Sequence, residues 1–297
     1  MKSAFVAIIG RPSAGKSTLL NALCGKKVSI VSSTPQTTRN KIRGIVNKAG
    51  LGQIVFLDTP GIHMSEKKFN NAMMANVSSS LEDADVVLYL LDGSRAPGAE
   101  ERHIVSMLKT SSKPLVVAVN KSDLGSPASQ EIKELIQQEL KPIAQLSLSA
   151  LEKKGLEPLL LELFEASPEG PAYYPEEYYT DQDPEFRASE IIREKAVNLT
   201  KEEVPHALYV EIADMEYNEE EDRLWIRAFL TVERETQVGI VVGHQGERIK
   251  IIRQSAQKEL AKIFERKIHL DLRVKVNAKW RTKDHLVKKI LGEGRKE

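Results

Sequence analysis

The chain has 297 residues, of which 41% are hydrophobic and 29% charged, and its formal net charge at pH 7 is +1. This composition excludes a largely disordered protein, and a prior of about 150 residues per domain suggests two domains. The single cysteine, Cys24, excludes an intramolecular disulfide and is typical of a reducing compartment, and the lack of any run of about 18 apolar residues excludes a membrane-spanning helix.

The first half of the chain alternates short apolar runs with segments of helical period. Four runs rich in Val, Ile and Leu predict buried strands at residues 5–9, 54–57, 86–91 and 115–119. Uninterrupted apolar strands that are separated by helices are typical of a parallel sheet covered on both faces. Residues 1–165 are therefore predicted to form an α/β domain.

Residues 10–18 follow the first predicted strand and have the spacing of a P-loop. Glycines allow successive backbone N–H groups to point inward around a phosphate, and the helix that follows adds positive potential there. Lys16 is expected to reach the β- and γ-phosphates, and Ser17 to bind Mg²⁺. The predicted phosphate contacts are Gly10, Ser13, Ala14, Gly15, Lys16, Ser17 and Thr18.

The sequence Asp-Thr-Pro-Gly at residues 58–61 follows the second predicted strand, at the same edge of the sheet as the P-loop. Asp58 lies where a carboxylate associated with Mg²⁺ belongs, with a water as intermediary. Gly61 has no side chain, so its N–H can approach a γ-phosphate. An ordinary turn is the alternative interpretation of these four residues taken alone.

Asn120, Lys121 and Asp123 follow the fourth predicted strand and are interpreted as the residues that select the base. An aspartate offers two acceptors to the N–H groups of guanine, whereas adenine would leave a buried charge unpaired. The stem of Lys121 can cover the base, and Ser149 and Ala150 can offer a backbone N–H to the guanine oxygen. The sequence therefore predicts GTP and GDP as ligands.

Residues 166–187 contain four prolines, four tyrosines, six acidic residues and one arginine, and they predict an interdomain linker. The tyrosines have no basic residues among them, whereas aromatic sites for single-stranded RNA normally do. We interpret them as packing against the neighbouring domains, with a stacking platform for bases as the alternative.

Residues 188–297 change period again and predict an α+β domain that ends in a basic helix. Alternating apolar residues indicate half-buried strands, and a Gly-x-x-Gly loop separates two helical stretches. The expected elements are a helix at 189–199, strands near 208–212 and 224–232, two short helices flanking 243–246, a strand at 270–276 and a basic helix near 282–291.

The Gly-x-x-Gly loop is a candidate site for RNA. Its glycines would let the backbone lie against phosphates, although a tight turn between helices has the same pattern. Charge favours RNA, because residues 241–297 carry 16 Lys or Arg against 7 Asp or Glu, a local charge of +9. The predicted RNA contacts are Gly243, His244, Gln245, Gly246, Arg248, Lys250 and Arg253.

Taken together, the two halves resemble the Era family of GTPases. The resemblance covers nearly the whole chain. Besides the nucleotide motifs and the Gly-x-x-Gly loop, it includes four segments: Gln-Thr-Thr-Arg at 36–39, Pro-Glu-Glu-Tyr at 175–178, Ala-Ser-Glu-Ile-Ile-Arg-Glu-Lys at 188–195 and Leu-Thr-Val-Glu-Arg-Glu at 230–235. It implies an α/β P-loop GTPase domain, with a mostly parallel sheet and helices on both faces, followed by an α+β type II KH domain.

The resemblance also implies an activity and partners. It implies slow hydrolysis of GTP to GDP and phosphate, and binding of small-subunit ribosomal RNA near its 3′ end in assembly of the 30S subunit. A cytoplasmic monomer is expected, and the basic C-terminus leaves peripheral membrane association open. The alternative is an RNA-binding scaffold whose nucleotide domain is mainly structural.

Residue roles in the reaction follow from the same resemblance. Thr38 is placed as the switch threonine, which would contact the γ-phosphate and would hold Mg²⁺ together with Ser17 and Asp58. Lys16, Thr38 and Gly61 form the expected catalytic set.

Four positions differ from related GTPases or leave alternatives open. Ile62 stands where Ras-like proteins have the glutamine that orients the attacking water, and His63 is more plausibly a bystander than a substitute base. Ser13 stands where many Era-like proteins have the asparagine that helps bind K⁺, so the resemblance does not extend to K⁺ dependence. Arg39 is either an arginine finger or a solvated or RNA-facing side chain.

Overall fold

The computed structural model describes residues 1–32, 34, 37–62, 68–125 and 128–291, with the backbone alone at 68–73 and 129. The chain divides into two compact units. The first comprises Met1–Val31 and Thr38–Asp181, and the second comprises Ser32–Thr37 and Gln182–Glu297. A short segment from the N-terminal half of the sequence thus belongs to the second unit.

The first unit is an α/β structure built on a six-stranded sheet. Its strands are β1 (Lys2–Ile9), β2 (Ile42–Lys48), β3 (Gly52–Asp58), β4 (Val86–Asp92), β5 (Leu115–Asn120) and β6 (Ala144–Ser147). Their spatial order is β2-β3-β1-β4-β5-β6, and every neighbouring pair is parallel except β2 with β3. The four predicted strands are confirmed, and all residues of β3 and β4 are buried.

Helices cover both faces of this sheet. They are α1 (Lys16–Cys24), α2 (Lys68–Asp83), α3 (Ala99–Lys109), α4 (Ser129–Glu139) and α5 (Leu156–Ala166). On one face, Val77, Ile104 and Ile132 from α2, α3 and α4 form a core with Ala7 of β1. On the other face, α1 approaches β2 so closely that a Cβ on Gly44 would lie 2.4 Å from Cδ1 of Leu20.

The segment after α5 packs along the first unit instead of forming a free linker. The side-chain oxygen of Gln53 accepts the N–H groups of Tyr173 and Tyr174 at 2.9 and 3.0 Å, and the N–H of Ile45 donates to the carbonyl of Tyr179 at 2.9 Å. The Tyr174 ring packs on a cluster that contains Ile45 and Val55. The Tyr174 ring therefore packs against the first unit, as interpreted from the sequence, whereas Tyr173 and Tyr178 are 48% and 46% exposed.

The second unit is an α+β structure with a three-stranded sheet. Its strands are β7 (Tyr209–Asn218), β8 (Arg223–Val232) and β9 (Lys267–Val276), in that order, with β7 antiparallel and β9 parallel to β8. Its helices are α6 (Pro184–Leu199), α7 (Val204–Ala207), α8 (Glu235–Val242), α9 (Glu247–Phe264) and α10 (Asp284–Ile290).

Two helices of this unit differ from the sequence prediction. Helix α6 begins at Pro184, inside the segment predicted as linker, because proline is tolerated in a first turn and Asp183 accepts the N–H groups of Glu185 and Phe186 at 2.9 and 3.1 Å. Helix α9 has 18 residues and is not short; Ile252 and neighbouring apolar residues anchor it on the core.

Among the residues that the structure describes, no helix is both long and apolar enough to cross a membrane.

Candidate functional site

The P-loop connects β1 to α1 and has a backbone that glycine makes possible. Gly15 has φ +99°, and a Cβ there would lie 2.3 Å from Nδ2 of Asn120. Ser13 also has positive φ, at 62°, and its side chain is exposed. At the other side of the loop, the N–H of Ile62 donates to the carbonyl of Gly10 at 3.3 Å, which places Gly61 beside the P-loop.

Lys16 lies inside this loop with 6% of its surface exposed. Its Nζ donates to the carbonyls of Gly10 and Arg11, both at 2.9 Å. Burial lowers the pKa of Lys16 to about 8, and the carboxylate of Asp58 only partly opposes this effect. A bound phosphate would supply the negative charge that this buried ammonium group lacks.

The three predicted Mg²⁺ residues lie together. The Ser17 hydroxyl is 2.8 Å from both Oγ1 of Thr38 and Oδ2 of Asp58. Ser29, which the sequence analysis missed, also donates to Oδ2 of Asp58 at 2.8 Å. Burial raises the pKa of Asp58, an effect that Lys16 opposes. Oδ1 of Asp58 is buried and has no hydrogen-bond partner among the residues that the structure describes.

This donor set fits Mg²⁺. The ion prefers hard oxygen ligands and retains several waters, so two hydroxyls and one carboxylate suit it. The unpaired Oδ1 of Asp58 can accept a hydrogen bond from a metal-bound water, which matches the indirect contact expected from the sequence.

Asn120 links the P-loop to the loop that contains Ser149 and Ala150. Its Nδ2 donates to the carbonyl of Ala14 at 2.9 Å, and its Oδ1 accepts the N–H of Ala150 at 2.9 Å. The hydroxyl of Ser149 donates to Asp123 at 2.5 Å, which orients the carboxylate predicted to select guanine.

The backbone N–H groups of this loop already have acceptors. The N–H of Ser149 donates to the carbonyl of Lys154 at 3.0 Å, and that of Ala150 donates to Asn120. A guanine oxygen would have to replace one of these acceptors, which the sequence analysis did not foresee.

A buried ionic cluster that the sequence analysis missed supports Lys121. Oδ2 of Asp92 accepts from Lys121 Nζ at 2.7 Å and from Arg11 Nη2 at 2.9 Å, while Nε of Arg11 is 2.9 Å from Glu101. Burial of Asp92 opposes its ionisation, but hydrogen bonds from Lys121 and Ser94 outweigh it and lower the pKa to about 2. The position of Asp92 at the carboxyl end of β4 was the only sequence signal for this cluster.

Two further side chains near the motifs are buried. Arg39 is 4% exposed, so the interpretation of a solvated side chain is wrong. Ile62 is fully buried in the core that contains Ala7, and its side chain is apolar, so it cannot orient a water. His63 lies outside the described residues.

The Gly-x-x-Gly loop lies between α8 and α9 in the second unit. Gly243 has φ +75°, and a Cβ there would lie 2.8 Å from the Cβ of Arg248, so only glycine fits without a shift. His244 and Gln245 are exposed, and Gly246 is the N-cap of α9, whose N-terminal dipole favours an anion.

The basic residues after the loop are not equivalent. Lys250 is exposed, whereas Arg253 is half-buried. Arg248 donates from its guanidinium group to the carbonyl of Ile240, so this arginine also supports the end of α8. All three lie on α9, as the sequence predicted, and Lys250 has the most accessible charge.

Family models match both halves of the chain. A model described as a 50S ribosome-binding GTPase matches residues 5–121, and a model described as a KH domain matches residues 203–281. Each match falls within the half of the chain where the corresponding motifs were found.

Curated relatives match the chain almost from end to end. GTPase Era of Treponema denticola is 50% identical over 98% of this chain and 99% of its own length. GTPase Era of Borreliella burgdorferi is 47% identical over 98% of this chain and 100% of its own length.

Two solved structures are similar over the whole length. Both have a TM-score of 0.93, 36% sequence identity and 99% coverage of either chain. One is an Aquifex aeolicus Era variant bound to GDP·AlF4⁻, and the other is Era in complex with MgGDPNP and nucleotides 1506–1542 of 16S ribosomal RNA.

Proposed function

This chain belongs to the Era family of GTPases, and from that premise we propose that it is a GTP-hydrolysing switch that binds the 3′ end of small-subunit ribosomal RNA and promotes maturation of the 30S subunit. The observation that carries the proposal is the position of the Ser17 hydroxyl, which lies 2.8 Å from side-chain oxygens of both Thr38 and Asp58, in a site that also contains the buried Lys16. The group can tell a nucleotide with a γ-phosphate from one without it.

We assign phosphate binding to the P-loop and Lys16. The backbone N–H groups of residues 10–18, which point inward, orient the phosphates. The ammonium group of Lys16 stabilises negative charge at the β- and γ-phosphates. Ser17 and Thr38, with Asp58 acting through water, would hold Mg²⁺, which neutralises charge on the phosphates when bound. Gly61, beside the P-loop, offers its N–H to the γ-phosphate.

In hydrolysis, a water attacks the γ-phosphorus in line with the bond to the β-phosphate oxygen. That bond breaks, and GDP and phosphate are the products. The side chain that follows Gly61 is the buried Ile62, which cannot orient that water. Turnover by the chain alone is therefore slow, and RNA or the ribosomal subunit must complete the site for fast turnover.

Guanine selection is assigned to Asp123, with Asn120 and Lys121 as supports. Ser149 orients the carboxylate of Asp123, and Asn120 fixes this loop against the P-loop. The cluster of Arg11 and Asp92 holds Lys121 where its stem can cover the base. Adenine would leave the carboxylate without its two donors.

RNA binding is assigned to the Gly-x-x-Gly loop and to the first turns of α9. The exposed loop backbone, the N-terminus of α9 and the charge of Lys250 are suited to the phosphates of a single strand. A relative of similar structure holds nucleotides 1506–1542 of 16S ribosomal RNA, and we propose the same region of RNA for this chain.

Finer assignments complete the proposal. The chain acts as a cytoplasmic monomer, with peripheral membrane association through its basic C-terminus as a minor fraction. Because a serine hydroxyl replaces the asparagine side chain at position 13, hydrolysis does not depend on K⁺, and rates in KCl and NaCl are expected to be equal.

Single-turnover GTP hydrolysis, measured with and without small ribosomal subunits, tests the switch. We expect slow turnover alone and faster turnover with the subunit; fast turnover that is indifferent to RNA would contradict the proposal. Lys16→Ala separates the switch from an RNA-binding scaffold, because a scaffold would support subunit maturation equally well without nucleotide. Lys133→Ala, on the exposed face of α4, is the control.

A further inference from the structure

Arg193 of α6 is a buried arginine whose guanidinium group is fixed. It is 3% exposed, and its Nε and Nη2 lie 2.6 Å from Oε1 and Oε2 of Glu190 on the preceding turn. A two-point pair of this kind holds the plane of the guanidinium group, because both donors must stay in line with both acceptors. Because the guanidinium group is buried, its charge depends on the carboxylate of the half-buried Glu190.

The guanidinium group makes one further bond, to the backbone of residue 37. Nη2 of Arg193 donates to the carbonyl of Thr37 at 2.5 Å. Thr37 belongs to the short segment Ser32–Thr37 that is part of the second unit, and its hydroxyl donates to the carbonyl of Thr34 at 2.6 Å within that segment. Thr37, the residue before the switch threonine, is therefore bonded to both Arg193 and Thr34.

The carbonyl of Thr37 and the nitrogen of Thr38 are parts of one peptide group. A peptide group is planar, so a bond that fixes its oxygen also fixes the Cα of the next residue and the direction of its N–H. Thr38 is the residue whose hydroxyl lies 2.8 Å from Ser17 in the phosphate site. Arg193 thus acts on Thr38 across a single rigid peptide plane.

We propose that Arg193, held by Glu190, is a positioning residue for Thr38 and stabilises the GTP-bound state without touching the nucleotide. This inference rests on the proposed role of Thr38 at Mg²⁺ and the γ-phosphate. GDP has no γ-phosphate for Thr38 to contact, so Arg193 affects binding of GTP and leaves binding of GDP almost unchanged.

The test uses the full chain with Mg²⁺ and compares GDP with a non-hydrolysable GTP analogue by fluorescence titration. We expect Arg193→Ala to weaken binding of the analogue by about tenfold, the loss typical of a hydrogen bond to a charged group, and to change GDP affinity by less than about twofold. Single-turnover hydrolysis falls in proportion to analogue binding. Arg193→Lys retains the charge but loses the two-point pair, so its loss is intermediate.

Epistasis shows whether Arg193 acts through Thr38. In a chain that already carries Thr38→Ala, we expect Arg193→Ala to cause no further loss of analogue affinity, and Glu190→Gln to reproduce part of the Arg193→Ala effect. Arg223→Ala is the matched control, because Arg223 is exposed and pairs with Glu221 at 3.0 Å. It leaves both affinities unchanged.

Four outcomes overturn the inference. The first two are an equal loss of GDP and analogue affinity in the Arg193→Ala variant, and no loss of either affinity. The third is that Thr38→Ala and Arg193→Ala reduce analogue affinity independently of each other. The fourth applies if the alanine variant does not fold: Arg193→Lys and Glu190→Gln then bind both nucleotides as the wild type does. If the wild-type protein binds no guanine nucleotide, the proposed function itself is contradicted. This result is obtained before any variant is made, so it is distinguishable from failure of the inference.

Discussion

The nucleotide site and the Gly-x-x-Gly loop are both proposed to bind phosphate, but they are built differently. In the nucleotide site, Lys16, Asp58 and Asn120 are buried. Lys16 is bonded to carbonyls of its own P-loop, whereas Asp58 and Asn120 are bonded to segments distant in sequence. In the loop, His244 and Gln245 are exposed, and the recognition elements are backbone and a helix N-terminus. A small ligand requires a prebuilt polar cavity, whereas a long polyanion can be held by accessible charge. The predictions below test this difference.

Removal of the carboxylate proposed to select guanine should have the largest effect. We expect Asp123→Ala to weaken GDP binding by about 100-fold or more, because two donors of guanine lose a charged acceptor. RNA binding should not change. Isothermal titration calorimetry with GDP and ADP measures the loss of base discrimination; retained preference for GDP would contradict the assignment. Glu134→Ala, on α4, controls for loss of an exposed carboxylate.

The second-largest effect should come from salt, which should weaken RNA binding far more than nucleotide binding. If Arg248, Lys250 and Arg253 each neutralise one phosphate, raising salt from about 50 to 200 mM weakens single-stranded RNA binding by roughly 20-fold. Binding of GDP should change far less, because its charged partner Lys16 is buried. Fluorescence anisotropy with an RNA oligonucleotide of the 16S 3′ end measures the slope, and a salt-independent affinity would contradict phosphate contact.

Alkaline pH should weaken nucleotide binding but not RNA binding. The pKa of Lys16 is about 8 in the free protein, so above pH 8 the ammonium group loses its proton, and nucleotide binding must restore it. From pH 7 to about 9.5 we expect GDP affinity to fall on the order of tenfold, with proton uptake on binding. Calorimetry in buffers of different ionisation enthalpy detects that proton, and an absence of uptake would contradict the assignment.

Lys16 should also make the stability of the nucleotide-free protein depend on pH. The folded-state pKa of Lys16 lies below its ordinary value of 10.5, so between pH 8 and 10.5 the unfolded chain holds more protons. The contribution of Lys16 to the free energy of unfolding therefore rises with pH across this window. Lys16→Met removes this contribution and provides the comparison in denaturant titrations.

The smallest effect should come from one exposed lysine of α9. We expect Lys250→Ala to weaken RNA binding about threefold and to reduce the salt slope by about 0.7, because one phosphate contact is lost. Nucleotide binding should be unaffected. Lys133→Ala on α4 serves as the control, and an unchanged salt slope for Lys250→Ala would remove this residue from the RNA surface.

Local patterns were sufficient for much of the fold. The strands β1, β3, β4 and β5 are uninterrupted apolar runs, which no other structure explains as well, and the P-loop has fixed spacing. Strand β2 was missed because it is an antiparallel edge strand with polar residues and Gly44 in its middle. Helix α6 was predicted to begin too late because Pro184 was interpreted as a breaker, whereas it begins the helix.

Contacts between distant segments could not be predicted. Ser29 reaches Asp58 across 29 positions, and Arg11 reaches Asp92 across 81. Neither pair has a sequence pattern, because each depends on which strands are neighbours. Arg193 stood inside a segment that suggested the family, but its bond to the carbonyl of Thr37 is a property of the folded chain.

The segment after α5 has a consequence for self-association. Strand β2 lies at the border of its sheet, where unpaired backbone groups invite pairing with another polypeptide. Asn47 donates to the carbonyl of Glu176, Ile45 to that of Tyr179, and Thr180 to that of Arg43, so the segment occupies this border. The acidic, proline-rich stretch thus shields the sheet from aggregation.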